Sequence, residues 1–204
     1  APTGAYSFET LAEDVVALMD AAGIERATFL GLSMGGMVGQ YLGLLHARRF
    51  NSLILVATTS RVPKDFGPVW DARIKAVSEK GTASQVEESM PRWMSAKAIA
   101  GNHPAIAGLK AMIRNTPPAG YIGWAGAIRN LDVTDRLKSI GLPTLVVSGE
   151  LDPSTPPAAG DTIHKQIKGS QFAVMPGVAH MMSAEAPEAF HALVRPFIDR
   201  HAGR

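Results

Sequence analysis

Eight residues, Phe29-Leu30-Gly31-Leu32-Ser33-Met34-Gly35-Gly36, limit what this chain can become. The apolar run Thr28-Phe29-Leu30 reads as a buried strand, and Ser33 follows it with Gly31 and Gly35 two residues to either side. A G-x-S-x-G pentapeptide between a strand and a helix predicts a sharp turn that lifts a serine hydroxyl off the end of a sheet. Glycine fits there because side chains at Gly31 or Gly35 are expected to collide with the adjoining strand and helix. The turn into the helix also aims the N–H of Met34, at the positive end of the helix dipole, toward whatever the serine attacks.

The surrounding pattern is β/α. Ser7 to Ala22 reads as an amphipathic helix, with Ser7 as its cap, Glu9 in its first turn and Leu11, Val15, Leu18, Met19 and Ala22 at three- and four-residue spacing. Gly23 ends it, with Ile24 expected to pack back. In the helix after Ser33, Gly35, Gly36, Gly39 and Gly43 each cost roughly 1 kcal/mol relative to alanine. Gly35, Gly39 and Gly43 fall on one stripe, which predicts a close approach to the sheet. Met37, Val38, Tyr41, Leu42 and Leu45 are the expected apolar contacts of that helix. Leu53-Ile54-Leu55-Val56 lacks alternation, as a parallel strand covered on both faces does.

From Arg61 to about Asn130 the β-branched runs disappear. Helices are predicted over 69–80, 83–94, 105–115 and 120–130, broken at Gly81, His103-Pro104 and Pro117-Pro118. All three tryptophans fall here, and the segment reads as an inserted helical layer. The β/α pattern then returns: a short helix at 135–139, a strand at 144–148, a helix at 157–167, a strand at 171–175 and a last helix over 184–200. The expected division is thus 1–60 and 132–204 as core, with 61–131 as a cap.

Catalytic groups in open α/β sheets collect beyond the carboxyl ends of the strands. Three such ends carry polar chemistry: Ser33, the stretch Gly149-Glu150-Leu151-Asp152-Pro153, and Pro176-Gly177-Val178-Ala179-His180. A serine hydroxyl is a poor nucleophile until a base takes its proton. His180 can act as that base, and Asp152 can hold the imidazole in the required tautomer. Glu150, Asp132 and Asp135 compete for the acid role, but the loop position before Pro153 favours Asp152. The other five histidines fall in helices, after the last helix or before a proline, and are read as structural or exposed.

Composition closes off other classes. With 46% hydrophobic residues the chain is globular, and a net charge of +2 is too small and scattered for a nucleic-acid or membrane partner. The absence of cysteine rules out disulfides and thiolate metal sites. No cofactor is expected, and the expected location is cytoplasmic.

With Gly31 to Gln40, Thr116-Pro117-Pro118-Ala119-Gly120-Tyr121, Ala127-Ile128-Arg129, Pro143 to Val146, Gly149, Asp152 and Pro176 to His180 in view, the chain resembles the α/β-hydrolase superfamily, most closely the 3-oxoadipate enol-lactonases. That resemblance implies a mostly parallel sheet flanked by helices, an inserted helical cap, and a triad of Ser33, Asp152 and His180 with Met34 as oxyanion donor. It implies a small ester or lactone substrate opened through an acyl-enzyme. The substrate of that family is anionic, so a cation is wanted near the cap, for which Arg129 is the candidate, with Trp124 shaping the pocket. Family members carry a longer N-terminal part that builds the first strands and supplies a second oxyanion N–H. The first strands are therefore expected to be missing from this chain, with that part as its partner, a separate chain or fragment. A general carboxylesterase, a non-catalytic ligand-binding relative and an inactive fragment are the alternatives.

Overall fold

A computed structural model describes residues 1–4 and 6–202. In chain order, the described residues form α1 (Phe8–Ala21), β1 (Ala27–Leu32), α2 (Met34–Leu45), β2 (Phe50–Val56), α3 (Gly67–Lys80), α4 (Val86–Trp93), α5 (Ala96–Ala100), α6 (Ala105–Asn115), α7 (Pro118–Arg129), β3 (Thr144–Gly149), α8 (Pro157–Gln166), β4 (Gln171–Met175), α9 (Met182–Glu185) and α10 (Pro187–His201). The four strands make one parallel sheet in sequence order, β1-β2-β3-β4. The register pairs Leu32 with Val56, Val56 with Val147, and Gly149 with Met175. All four carboxyl ends therefore finish at one rim.

Side-chain alternation in the central strands divides the core in two. Leu53, Leu55 and Val146 pack with α1, α2 and α8, whereas Ile54, Val56, Leu145 and Val147 pack with Met182, Phe190, Val194 and Phe197 of α9 and α10. Both faces of β2 and β3 are covered, which explains their unbroken apolar runs. A third cluster, Val86, Met90, Met94, Leu109 and Ile113, is the core of the helical layer between β2 and β3.

Several local expectations need correction. Ser7 caps α1 as expected, its Oγ accepting from Thr10 N at 3.1 Å, but Leu18 and Ile24 are 70% and 43% exposed instead of packing inward. Leu45, at the end of α2, is also exposed. The close-approach stripe of α2 is Gly36, Gly39 and Gly43, whose added Cβ atoms would lie 2.6 Å from Thr58, 2.7 Å from Leu55 and 2.8 Å from Leu53; Gly35 faces open space. The expected helix over 83–94 is a 3₁₀ turn, Thr82–Gln85, followed by α4. The short α5 comes from a cap not read in the sequence, Ser95 Oγ accepting from Ala98 N. The last helix is broken at Ala186 (φ −141°, ψ 66°), since the residue before Pro187 is pushed out of helical geometry.

Candidate active site

The elbow is built first. Ser33 has φ 56° and ψ −114°, a left-handed conformation that costs a non-glycine residue roughly 1–3 kcal/mol. The end of β2 holds it there: Ser33 N–H donates to Val56 O at 2.8 Å, and the Thr58 hydroxyl donates to Ser33 O at 2.8 Å. A Cβ on Gly31 would lie 2.2 Å from Gly35 O, so the strand and the first turn of α2 close on each other only through a glycine. Met34 opens α2, so its N–H has no acceptor within the helix and remains available beside the serine.

The acid and histidine loops are fastened to each other. Leu151 N donates to Val178 O at 2.9 Å, and Gly177 N donates to a Glu150 carboxylate oxygen at 2.7 Å. A Cβ on Gly149 would come 2.4 Å from Ala179 O, so glycine is needed for this approach as well. Glu150, the nearest rival for the acid role, thus serves the Gly177 turn. Asp132 bonds Arg61 at 3.0 Å.

The three groups meet at the rim. His180 Nε2 is 2.8 Å from Ser33 Oγ, and His180 Nδ1 is 2.7 Å from Asp152 Oδ2. The side chains of His180 and Asp152 are 5% and 0% exposed. Asp152 also accepts from Ser154 N at 2.8 Å, Thr155 N at 3.1 Å and Thr155 Oγ1 at 2.7 Å. An ionised carboxylate can only accept, so Nδ1 of the neutral ring carries the hydrogen and Nε2 turns its lone pair to the serine hydroxyl. Burial pushes the Asp152 carboxyl up, but the hydrogen bond from His180, the charge of that ring whenever it holds a second proton, and the bonds from Thr155 outweigh burial and hold it below its ordinary value. Chemically, the set can take a proton from a hydroxyl, hold it, and return it to a leaving group.

The two substrate-facing candidates both have partners within the protein. Arg129 makes a two-pronged pair with Asp71, at 2.7 and 2.9 Å. Trp124 packs on α1, edge-on to Tyr6 and tilted against Phe8, among core residues. The helical layer between β2 and β3 contributes a different pair of residues beside the histidine loop. Trp93 O accepts from Met181 N at 2.9 Å, and Ser95 is bonded to Glu185. Neither Thr155 nor Glu185 stood out in the sequence. Asp-Pro-Ser-Thr is a readable turn, since an aspartate accepts the N–H groups two and three residues on, whereas nothing local marks Glu185.

A model described as the alpha/beta hydrolase fold matches residues 1–187, and the chain belongs to that family. It is 33% identical to 3-oxoadipate enol-lactonase 1 of Acinetobacter baylyi over 94% of this chain and 71% of that one. Its backbone superposes on the enol-lactonase of Burkholderia xenovorans with a TM-score of 0.92 at 31% identity, covering 98% of this chain and 75% of that one. A thermophilic esterase from Thermogutta terrifontis, solved with malate bound, also gives 0.92 at 29% identity, with 98% and 75% covered. Among the described residues, no helix is long and apolar enough to cross a membrane.

Proposed function

We propose that this protein is a serine hydrolase of small carboxylic esters or lactones, with an anionic enol-lactone of the 3-oxoadipate type as its substrate. The observation that carries the reading is the unbroken hydrogen-bonded line Asp152–His180–Ser33 at one strand rim. In this mechanism Ser33 Oγ attacks the carbonyl carbon as His180 Nε2 takes its proton. Negative charge develops on the former carbonyl oxygen against the N–H of Met34. Collapse expels the ring oxygen, which receives the proton from His180 and stays tethered to the acyl group. Water, deprotonated by His180, then attacks the acyl ester and frees Ser33.

An anionic substrate needs a cation. Asp71 occupies Arg129, so the candidate moves to Arg92, in the last turn of α4. Arg92 donates to Glu88 O and Ser89 Oγ and forms no ion pair among the described residues. Burial lowers its pKa, Arg73 adds to that, and Tyr121, Glu88 and Asp152 act in the opposite sense. A half-buried guanidinium under the charge of a second one, without a carboxylate of its own, favours an incoming carboxylate. A second oxyanion donor would come from a segment pairing along β1, which has a neighbour strand on one side alone among the described residues and exposes Leu30. That segment, as a separate chain or as more of the same polypeptide, is the proposed partner.

The test is a substrate panel with a Ser33→Ala control. The enol-lactone should exceed p-nitrophenyl acetate in kcat/KM by roughly 100-fold. Arg92→Ala should raise KM for the lactone and leave the neutral ester unchanged. A preference for the neutral ester would favour a general carboxylesterase, a reading supported by the likeness to the Thermogutta esterase. A serine-directed phosphonate that leaves Ser33 unlabelled would favour a non-catalytic binder.

A further inference from the structure

The histidine loop is tied to the cap on both sides of His180. On one side, Ala179 N donates to Glu185 Oε2 at 3.2 Å. The same oxygen accepts from Ser95 N at 3.1 Å, while the other carboxylate oxygen takes the Ser95 hydroxyl. On the other side, Met181 N donates directly to Trp93 O, and the Met181 side chain packs against the apolar cluster of the cap. Residues 93 and 95 form the junction between α4 and α5, so one short piece of the cap meets both neighbours of the histidine. Hydrogen bonds to a carboxylate are directional and, being charge-assisted, roughly twice as strong as neutral ones. Nothing in the mechanism above uses Glu185, yet its three bonds join segments that are distant in sequence.

We propose that Glu185 is a positioning residue for the base: with the Trp93–Ser95 junction it clamps the main chain at Ala179 and Met181, so that the cap fixes where His180 Nε2 meets Ser33. This rests on the reading of Ser33, His180 and Asp152 as the catalytic set. The break before Pro187 has a role here, because it ends α9 at Glu185 and leaves the carboxylate between the two loops. A cap shifted relative to the sheet carries the imidazole with it, and a displacement near 1 Å at a reacting group can cost roughly 100-fold.

The experiment compares Glu185→Ala, Glu185→Gln and Arg61→Ala with the wild type in kcat, KM and rate of phosphonate labelling at Ser33, alongside thermal midpoints. Glutamine can accept both N–H groups through Oε1 and donate to the Ser95 hydroxyl, so it keeps the clamp. Arg61→Ala breaks the Arg61–Asp132 pair, a tie at the far border of the cap that does not touch the histidine loop. Glu185→Ala should lose roughly 10- to 100-fold in kcat and in labelling rate, with KM changed less than about threefold. Glu185→Gln should recover most of the loss, and Arg61→Ala should match the wild type. If Glu185→Ala does not fold, Ser95→Ala, which removes the hydroxyl contact to Glu185 together with the α5 cap on Ala98 N and leaves the Ser95 N–H bond in place, should still lose roughly threefold in kcat. A folded Glu185→Ala with wild-type kcat, a glutamine variant as slow as the alanine one, or an unaffected Ser95→Ala in that case would overturn the clamp. Wild-type protein that resists the phosphonate would instead overturn the catalytic reading itself.

Discussion

Ser33 and His180 reach the same rim by different constructions. The elbow is local. Its tight contact joins Gly31 to Gly35, four residues on, and the strain at Ser33 is held by the adjacent strand through Val56 and Thr58. The histidine loop is assembled over distance. Its main chain leans on Gly149 and Leu151 of the acid loop, on Glu185, and on Trp93 of the cap. Position of the serine is thus a property of the sheet, whereas position of the imidazole is a property of three segments packed together. Changes in the helical layer should reach the imidazole and leave the serine hydroxyl where it is.

Chemistry at the two ends of this relay gives the largest expected effects. Ser33→Ala should abolish turnover to the level left by binding and the oxyanion donors, a loss on the order of 10⁴–10⁶ in kcat. Asp152→Asn should cost about 10⁴ in kcat by favouring the wrong tautomer of His180, with substrate KM little changed. A similar kcat for Asp152→Asn and wild type would show that Glu150 or another group supplies the acid.

The packing of the two constructions can be compared directly by adding one methyl group to each. Gly31→Ala places a Cβ against Gly35 O, and Gly149→Ala places one against Ala179 O and Val178 O. Each should destabilise by about 3 kcal/mol, read from denaturant midpoints. The activity of the surviving folded fraction should separate them. Gly31→Ala disturbs the serine, so phosphonate labelling slows even with the cap intact. Gly149→Ala should act through His180 and change the pH profile as well. Identical pH profiles for the two variants would erase the distinction between local and assembled sites.

Acid should weaken the relay in a defined direction. Asp152 has a folded-state pKa below its unfolded value, so its contribution to stability is fully present above the ordinary aspartate range and is lost as pH falls through the lowered folded value. Wild-type protein should therefore lose stability more steeply below about pH 4 than Asp152→Asn, in acid titrations followed by circular dichroism. Equal acid slopes would remove this coupling. The smallest expected effect is that of Arg129→Ala. Its pair with Asp71 lies on the surface and is screened by solvent, so the thermal midpoint should barely move and kcat/KM should be unchanged.

The same contrast explains what could be read from the residues alone. Ser33, Asp152 and His180 were legible because each follows a strand, and strand ends in a parallel sheet share one rim. The sheet itself was legible from the unbroken apolar runs 53–56 and 145–147. The identity of the close-packed glycines in α2 was not, because a stripe spaced by four does not say which face meets the sheet; Thr58 decides it by filling the space above Gly36. Glu185 was hidden for a stronger reason. Its partners Ser95 and Ala179 come together only after the cap has folded onto the histidine loop, and an expected continuous helix over 184–200 masked the break that positions it. Arg129 was a reasonable cation in sequence, yet Asp71 on α3 takes its Nε and one terminal nitrogen in a two-pronged pair.

The most direct test is the site and rate of covalent labelling. Wild-type protein, Asp152→Asn and His180→Ala would be treated with a serine-directed phosphonate, and the modified peptide would be located by mass spectrometry. One adduct is expected, on Ser33, forming rapidly in the wild type and slower by orders of magnitude in both variants. An adduct on another residue, or equal rates in all three proteins, would contradict it.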